Sequence, residues 1–146
     1  MLSKEESQQL KKEFWIAFAQ AYPIKWLLYH TKIKDVAFKF DVDNQKAQVI
    51  YEIGSKDQNL RTIYYEKIVS LKDILNQEYI DDLIYDKNIY LENKVVSRVY
   101  CECQEVSLHN RNTWPIIFDF FYEKMMAFQL FFYEYEDYLK NTEINT

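Results

Sequence analysis

The chain has 146 residues, 18 Lys+Arg against 23 Asp+Glu for a net charge of -5, 49% hydrophobic residues and 18% aromatic residues. That length suits one core, and the wealth of large side chains excludes a disordered tail. The single glycine, Gly54, excludes glycine-rich phosphate loops, whose backbone must approach phosphate at positive φ. The acidic balance argues against general affinity for nucleic acid or anionic membrane, both of which draw on clustered basic charge.

Ser3 with Glu6 forms a capping box, and Leu10, Phe14, Ala17, Phe18 and Ala21 then repeat at helical spacing. Pro23 closes this first helix. The run Trp26–Tyr29 fits a helical turn or an extended entry into a sheet. Lys32, Lys34 and Lys39 form the only basic cluster, offset by Asp35 and Asp41, and read as a solvated strand edge. From Asp35 the period becomes two. Val36, Phe38, Phe40 and Val42, a turn at Asp43–Lys46, then Ala47, Val49, Tyr51 and Ile53 describe a β-hairpin with one apolar face. Gly54–Asp57 breaks it, and Asp57 is placed to cap a second helix over Gln58–Glu78, with a stripe of Leu60, Tyr64, Ile68, Leu71 and Leu75. Two short strands, Leu83–Tyr85 and Ile89–Leu91, flank Asp86–Asn88, and a longer strand covers Val95–Cys103. Asn112 or Thr113 can cap a last helix reaching about Leu139, with Pro115 in its first turn. The polar tail Asn141–Thr146 is expected to fray.

Adjacent antiparallel strands between helices predict one α+β domain over 1–146, with the long C-terminal helix packed on the sheet. Phe120, Met126 and Leu130 widen that helix's apolar surface beyond one stripe, which predicts an interface, with a second copy or with another protein. The charged start, Met-Leu-Ser-Lys-Glu-Glu, resembles no secretory leader, and no run reaches the length of a membrane span. A cytoplasmic protein is expected.

Candidate chemistry is sparse. Asp41 and Glu52 share the less apolar hairpin face. Pairing around the turn is expected to bring them within about two residues of opposition, roughly 7–8 Å on the diagonal. Two such carboxylates are the start of a nuclease-type Mg²⁺ site, but Gly54 stands where the accompanying lysine belongs, so Lys39 or Lys56 has to substitute. Cys101 and Cys103 share a strand face, which strains a disulfide and favours free thiols over zinc binding with His109 or a Cys103–His109 thiol enzyme. Arg98, on a strand, either pairs with Glu52 or Glu102 or binds an anion. Arg61, Arg98 and Arg111 could together make a local positive site for nucleic acid. The aromatic residues fit core packing better than a base-stacking platform, which would need adjacent positive charge. No cofactor is expected.

Several ordered segments resemble a known family: Thr31–Asp35; Ala47, Val49, Tyr51, Glu52 and Ile53; Arg61 near Tyr64 and Tyr65; Leu71, Lys72, Ile74 and Leu75; Ser97–Tyr100; and Asn112, Trp114, Pro115 and Ile117. Over nearly its whole length the chain is similar to an uncharacterised bacterial domain-of-unknown-function family, number four-two-six-eight. Such domains stand alone or lie C-terminal to nuclease-like regions. The resemblance therefore implies an accessory role in DNA metabolism or defence, or a degenerate nuclease-like protein, as alternatives to a non-catalytic, self-associating interaction module. The family has no established catalytic residues. It implies Glu52, Arg61, Arg98, Asn112 and Trp114 as the candidate polar site. Relatives often carry glycine where Lys32 stands, which puts a tight turn there in question.

Overall fold

The structure is a computed structural model describing residues 2–142. Most of the polar tail, from residue 143 on, lies outside the described residues. The elements in chain order are α1 (Lys4–Ala21), β1 (Val36–Val42), β2 (Lys46–Ile53), α2 (Gln58–Ser70), α3 (Lys72–Glu78), β3 (Ile84–Tyr90), β4 (Val95–Gln104) and, after a 3-10 turn at Arg111–Thr113, α4 (Trp114–Lys140). The α+β expectation holds.

Local chemistry sets most boundaries as expected. Ser3 and Glu6 close the capping box of α1, and Asp57 accepts from the Asn59 and Leu60 amides at the start of α2. In the hairpin turn, Asp43 accepts from the amides of Gln45 and Lys46, holding the chain reversal between β1 and β2.

Three expectations need correction. The helix expected over Gln58–Glu78 is two helices, because the chain tightens at Leu71, whose N–H reaches Ile68 and Val69 rather than a full α turn back. Ser70 contributes by donating to the Lys67 carbonyl at 2.6 Å, a side-chain bond of the kind that competes with helix continuation. The two short strands around Asp86–Asn88 are one strand, β3. Asp86 pairs with Arg98 but Ile89 with Val96, so one extra residue bulges between them. Thr113 sits at the N-cap of α4 without capping it. Its hydroxyl faces back to the loop, accepting from the Ser107 amide and donating to a loop carbonyl.

The four strands are antiparallel in the order β1-β2-β4-β3. Alternation along each strand separates two faces. Phe38 makes ring contacts at 5.6 Å with both Phe128 and Phe132 of α4, and pairs with Tyr51 across the hairpin. The face of Phe38, Tyr51 and Val99 is therefore the helix-covered core. The face of Lys39, Glu52, Arg98 and Tyr100 looks the other way.

The last helix accounts for much of the aromatic content. Phe121, Met125, Phe128 and Phe132 are buried, and Phe131, outside the narrow stripe, is buried against Tyr79. Phe14 of α1 packs edge-on against Trp114 at 5.2 Å, and Phe40 lies 4.7 Å from Phe121. Offset and edge-on ring pairs each add about 0.5–1.5 kcal/mol beyond the area they bury.

The segment before β1 carries three non-glycine residues at positive φ: Leu28 (44°), Lys32 (64°) and Asp35 (64°). The tight turn put in question at Lys32 is thus present, built with lysine. It is held by Thr31, a buried residue whose hydroxyl accepts from the Ile33 amide at 3.2 Å and donates to the Val36 carbonyl at 2.8 Å.

Candidate functional site

The open sheet face is organised around Glu52. Its position on β2 is opposite Ala37 on one side and Arg98 on the other. The carboxylate takes Lys39 on one oxygen at 2.5 Å and Arg98 Nε and Nη2 on the other at 2.9 and 2.8 Å. Glu52 is only 4% exposed, while its two partners keep part of their surface in water. Burial works to raise its pKa, but the hydrogen bonds from Lys39 and Arg98 outweigh that and hold the carboxyl below its ordinary value. Of the two partners open to Arg98, the structure selects Glu52. Glu102 pairs instead with Lys46 at 3.3 Å and accepts from Gln48.

The five candidate polar residues do not converge. Trp114 lies in the helix-covered core, where its indole N–H donates to the Leu108 carbonyl at 2.9 Å and the Arg111 guanidinium lies over its ring at 4.6 Å. Asn112 is exposed in the preceding turn. Arg61, on the first turn of α2, is buried beneath the sheet end. The three arginines do not form one positive site either: Arg98 pairs with Glu52, Arg111 with Glu13, and Arg61 with no carboxylate among the described residues.

The expected approach of Asp41 to Glu52 does not occur. Asp41 faces Gln48 while Glu52 faces Ala37, so the two stand four positions apart along the hairpin, about 13 Å at strand spacing. Glu52 already satisfies both oxygens with cations. Among the described residues no group of three or more His, Cys, Asp or Glu could hold a metal. The cysteines are free thiols. Burial pushes the Cys101 thiol up to about 12 and raises Cys103 as well, the opposite of what a thiol nucleophile needs.

Of the expected interface residues, Leu130 is 60% exposed on the side of α4 away from the core, while Phe120 and Met126 are half-buried. Exposed Glu123, Glu134 and Asp137 share the side of Leu130 by helical spacing.

A second apolar surface was not legible. The chain from Tyr22 to Tyr29 folds over between the end of α1 and the edge of β1, leaving an open groove of about 660 Å³. Trp15, Phe18, Tyr22, Trp26 and Phe40 wall it, Trp26 stacking on Phe18 at 6.1 Å. Its only charged lining residues are Lys25 and Lys39. β1 is an edge strand. Phe38 turns its N–H outward to the Leu28 carbonyl at 3.0 Å, and two residues on, Phe40 presents its peptide to the same open edge. The sequence signal for this groove was the unresolved Trp26–Tyr29 run. Among the described residues no helix is long and apolar enough to cross a membrane.

A family model described as "Domain of unknown function (DUF4268)" matches residues 10–136. No curated protein and no solved structure matches the chain.

Proposed function

Since the chain belongs to the DUF4268 family, a domain of unknown function, we propose that it is a non-catalytic interaction module whose α1–β1 groove receives an extended, acid-bearing apolar segment of another protein. The observation that carries this reading is the groove itself, aromatic-walled, charged only by Lys25 and Lys39, and bordered by the outward peptide of Phe40. A segment laid along β1 gains main-chain hydrogen bonds from the edge and places alternate side chains in the groove, the physics of strand addition. Carboxylates in that segment complement Lys25, Lys39 being already held by Glu52, and set it apart from other apolar chains. The polar chemistry of the described residues is already engaged, Glu52 by Lys39 and Arg98 and the two thiols raised by burial, which supports a binding role.

Selection of displayed peptides on the intact chain tests this. Enriched peptides should combine apolar anchors with Asp or Glu. They should lose binding to Ala19→Arg, which fills the groove from an exposed helix position. Absence of enrichment, or peptides that bind Ala19→Arg equally well, refutes the reading. Self-association through Phe120, Met126 and Leu130 is the other form such a module takes. Glu123, Glu134 and Asp137 beside Leu130 disfavour it, since a twofold contact there sets carboxylates against carboxylates. Sedimentation across a concentration series distinguishes the two. A dimer abolished by Leu130→Lys would make the helix face, not the groove, the functional surface.

A further inference from the structure

Arg61 is buried to all but 6% of its surface, yet among the described residues it meets no carboxylate. Its guanidinium donates from Nη2 to Asn88 Oδ1 at 3.1 Å and from Nη1, at the limit of a hydrogen bond, to the Val95 carbonyl at 3.5 Å. Both partners are neutral, and Nε is buried with no acceptor. A guanidinium carries five N–H donors and cannot shed its proton, so burial without a counter-charge leaves a standing demand for an anion. Every other arginine in the chain meets a carboxylate.

The surroundings continue the same pattern. Arg61 lines a pocket of about 640 Å³ at the end of the sheet, together with Lys56, Gln58, Asn88, Asn93 and Lys94. Three cations border it and no carboxylate does, in a protein whose net charge is -5. Lys56 and Lys94 are exposed, and Asn88 is brought to Arg61 by the bulge in β3. Bulges re-aim a side chain in this way at binding sites. The α2 N-terminus adds nothing here, because Asp57 already takes the Asn59 and Leu60 amides. The pocket rests on side chains alone.

We propose that this pocket binds a phosphoryl dianion carried by a small molecule, with Arg61 as the fixed inner cation and Lys56 and Lys94 closing from the rim. The planar donor fork of arginine suits a phosphate oxygen pair, and the flexible lysines add charge without demanding geometry. The amides of Gln58, Asn88 and Asn93 supply neutral hydrogen-bonding groups for the rest of the ligand.

Thermal unfolding of the full chain with inorganic phosphate or phenyl phosphate, at constant ionic strength made up with sodium chloride, is the test. Tm should rise with either probe, since a ligand held only by the native state stabilises it. Lys56→Ala/Lys94→Ala, at exposed positions that leave the core intact, should weaken binding about tenfold or more, as loss of charge-assisted bonds does. Arg61→Met should abolish the rise. A larger rise with phenyl phosphate assigns the pocket to a phosphorylated compound, and an equal rise assigns it to phosphate itself. The proposal is overturned if Tm does not move, or if the lysine variant keeps the full rise, which marks non-specific ion binding.

Discussion

Replacing Glu52 with Gln tests how the open face is held. The substitution keeps the side chain's size and removes the charge between Lys39 and Arg98. Removing one partner from a fully buried pair costs about 3–5 kcal/mol, because the other charge is left uncompensated. Here the carboxylate is buried, but the Lys39 and Arg98 side chains are 32% and 20% exposed, so water recovers part of the loss. We therefore expect a cost of about 2–3 kcal/mol, toward the lower end of the buried-pair range. With an unfolding entropy of about 2.1 cal/mol/K per residue, that lowers Tm by roughly 6–10 °C in a domain of this size. Urea denaturation followed by circular dichroism measures it. The pH dependence supplies a second reading. The folded pKa of Glu52 lies below its ordinary 4.5, so its stabilisation is complete above that pH and fades as pH falls through the folded value. The gap between wild type and Glu52→Gln should be constant from about pH 6 to 8 and shrink below about pH 4. A loss under about 0.5 kcal/mol at pH 7, the level of ordinary surface substitutions, or a gap that does not narrow in acid, refutes the reasoning.

Three further outcomes follow from local features. Lys32→Gly should stabilise the protein by about 0.5–1 kcal/mol, since relief of a left-handed lysine exceeds the added chain entropy of glycine. A destabilised variant in urea denaturation would show that the Lys32 side chain, not the turn, is what the site needs. Asp57→Ala should cost about 1 kcal/mol by releasing the Asn59 and Leu60 amides, seen as a Tm lowered by about 3 °C. An unchanged Tm would mean that water caps α2 equally well. In native protein at pH 7, maleimide should modify Cys103 slowly and Cys101 only as fast as the protein unfolds, given a buried thiol pushed up to about 12. Rapid labelling of Cys101, located by peptide mass mapping, would contradict its burial.

What could be read in advance divides by range. The capping box, the hairpin with its Asp43 turn and the Asp57 cap are decided within a few residues, and the sequence carries their signals directly. The Glu52–Arg98 pair was legible as one of three options for Arg98, beside Glu102 and a bound anion, because a strand arginine at a sheet surface seeks an anionic partner. The choice required the register between β2 and β4, which no local pattern encodes. A different register, that of β1 with β2, separates Asp41 from Glu52. The bulge in β3 and the tightening at Leu71 each hang on one residue's backbone geometry, which periodicity averages away. Trp114 entered the candidate site through the family resemblance, yet its position on α4 turns it into the core. Arg61 was noticed, but its missing counter-charge is a property of the fold, visible only once its neighbours are known.

The pairing of β2 with β4 has a kinetic consequence. Each hairpin-like half of the sheet, β1 with β2 and β3 with β4, closes a short stretch of chain, and hairpins form in about 1–10 μs. The seam between them joins Val49 to Cys101 and Glu52 to Arg98, so it must close over α2, α3 and β3. Such long-range closure governs the folding rate, because its entropy is lost before its contacts are gained. Mutations along the seam should therefore slow refolding, and so should those at the Asp43 turn, which is formed before the seam closes. Until that seam closes, both middle strands carry an unsatisfied edge. The interval before docking is when the chain is most open to mispairing with another copy of itself.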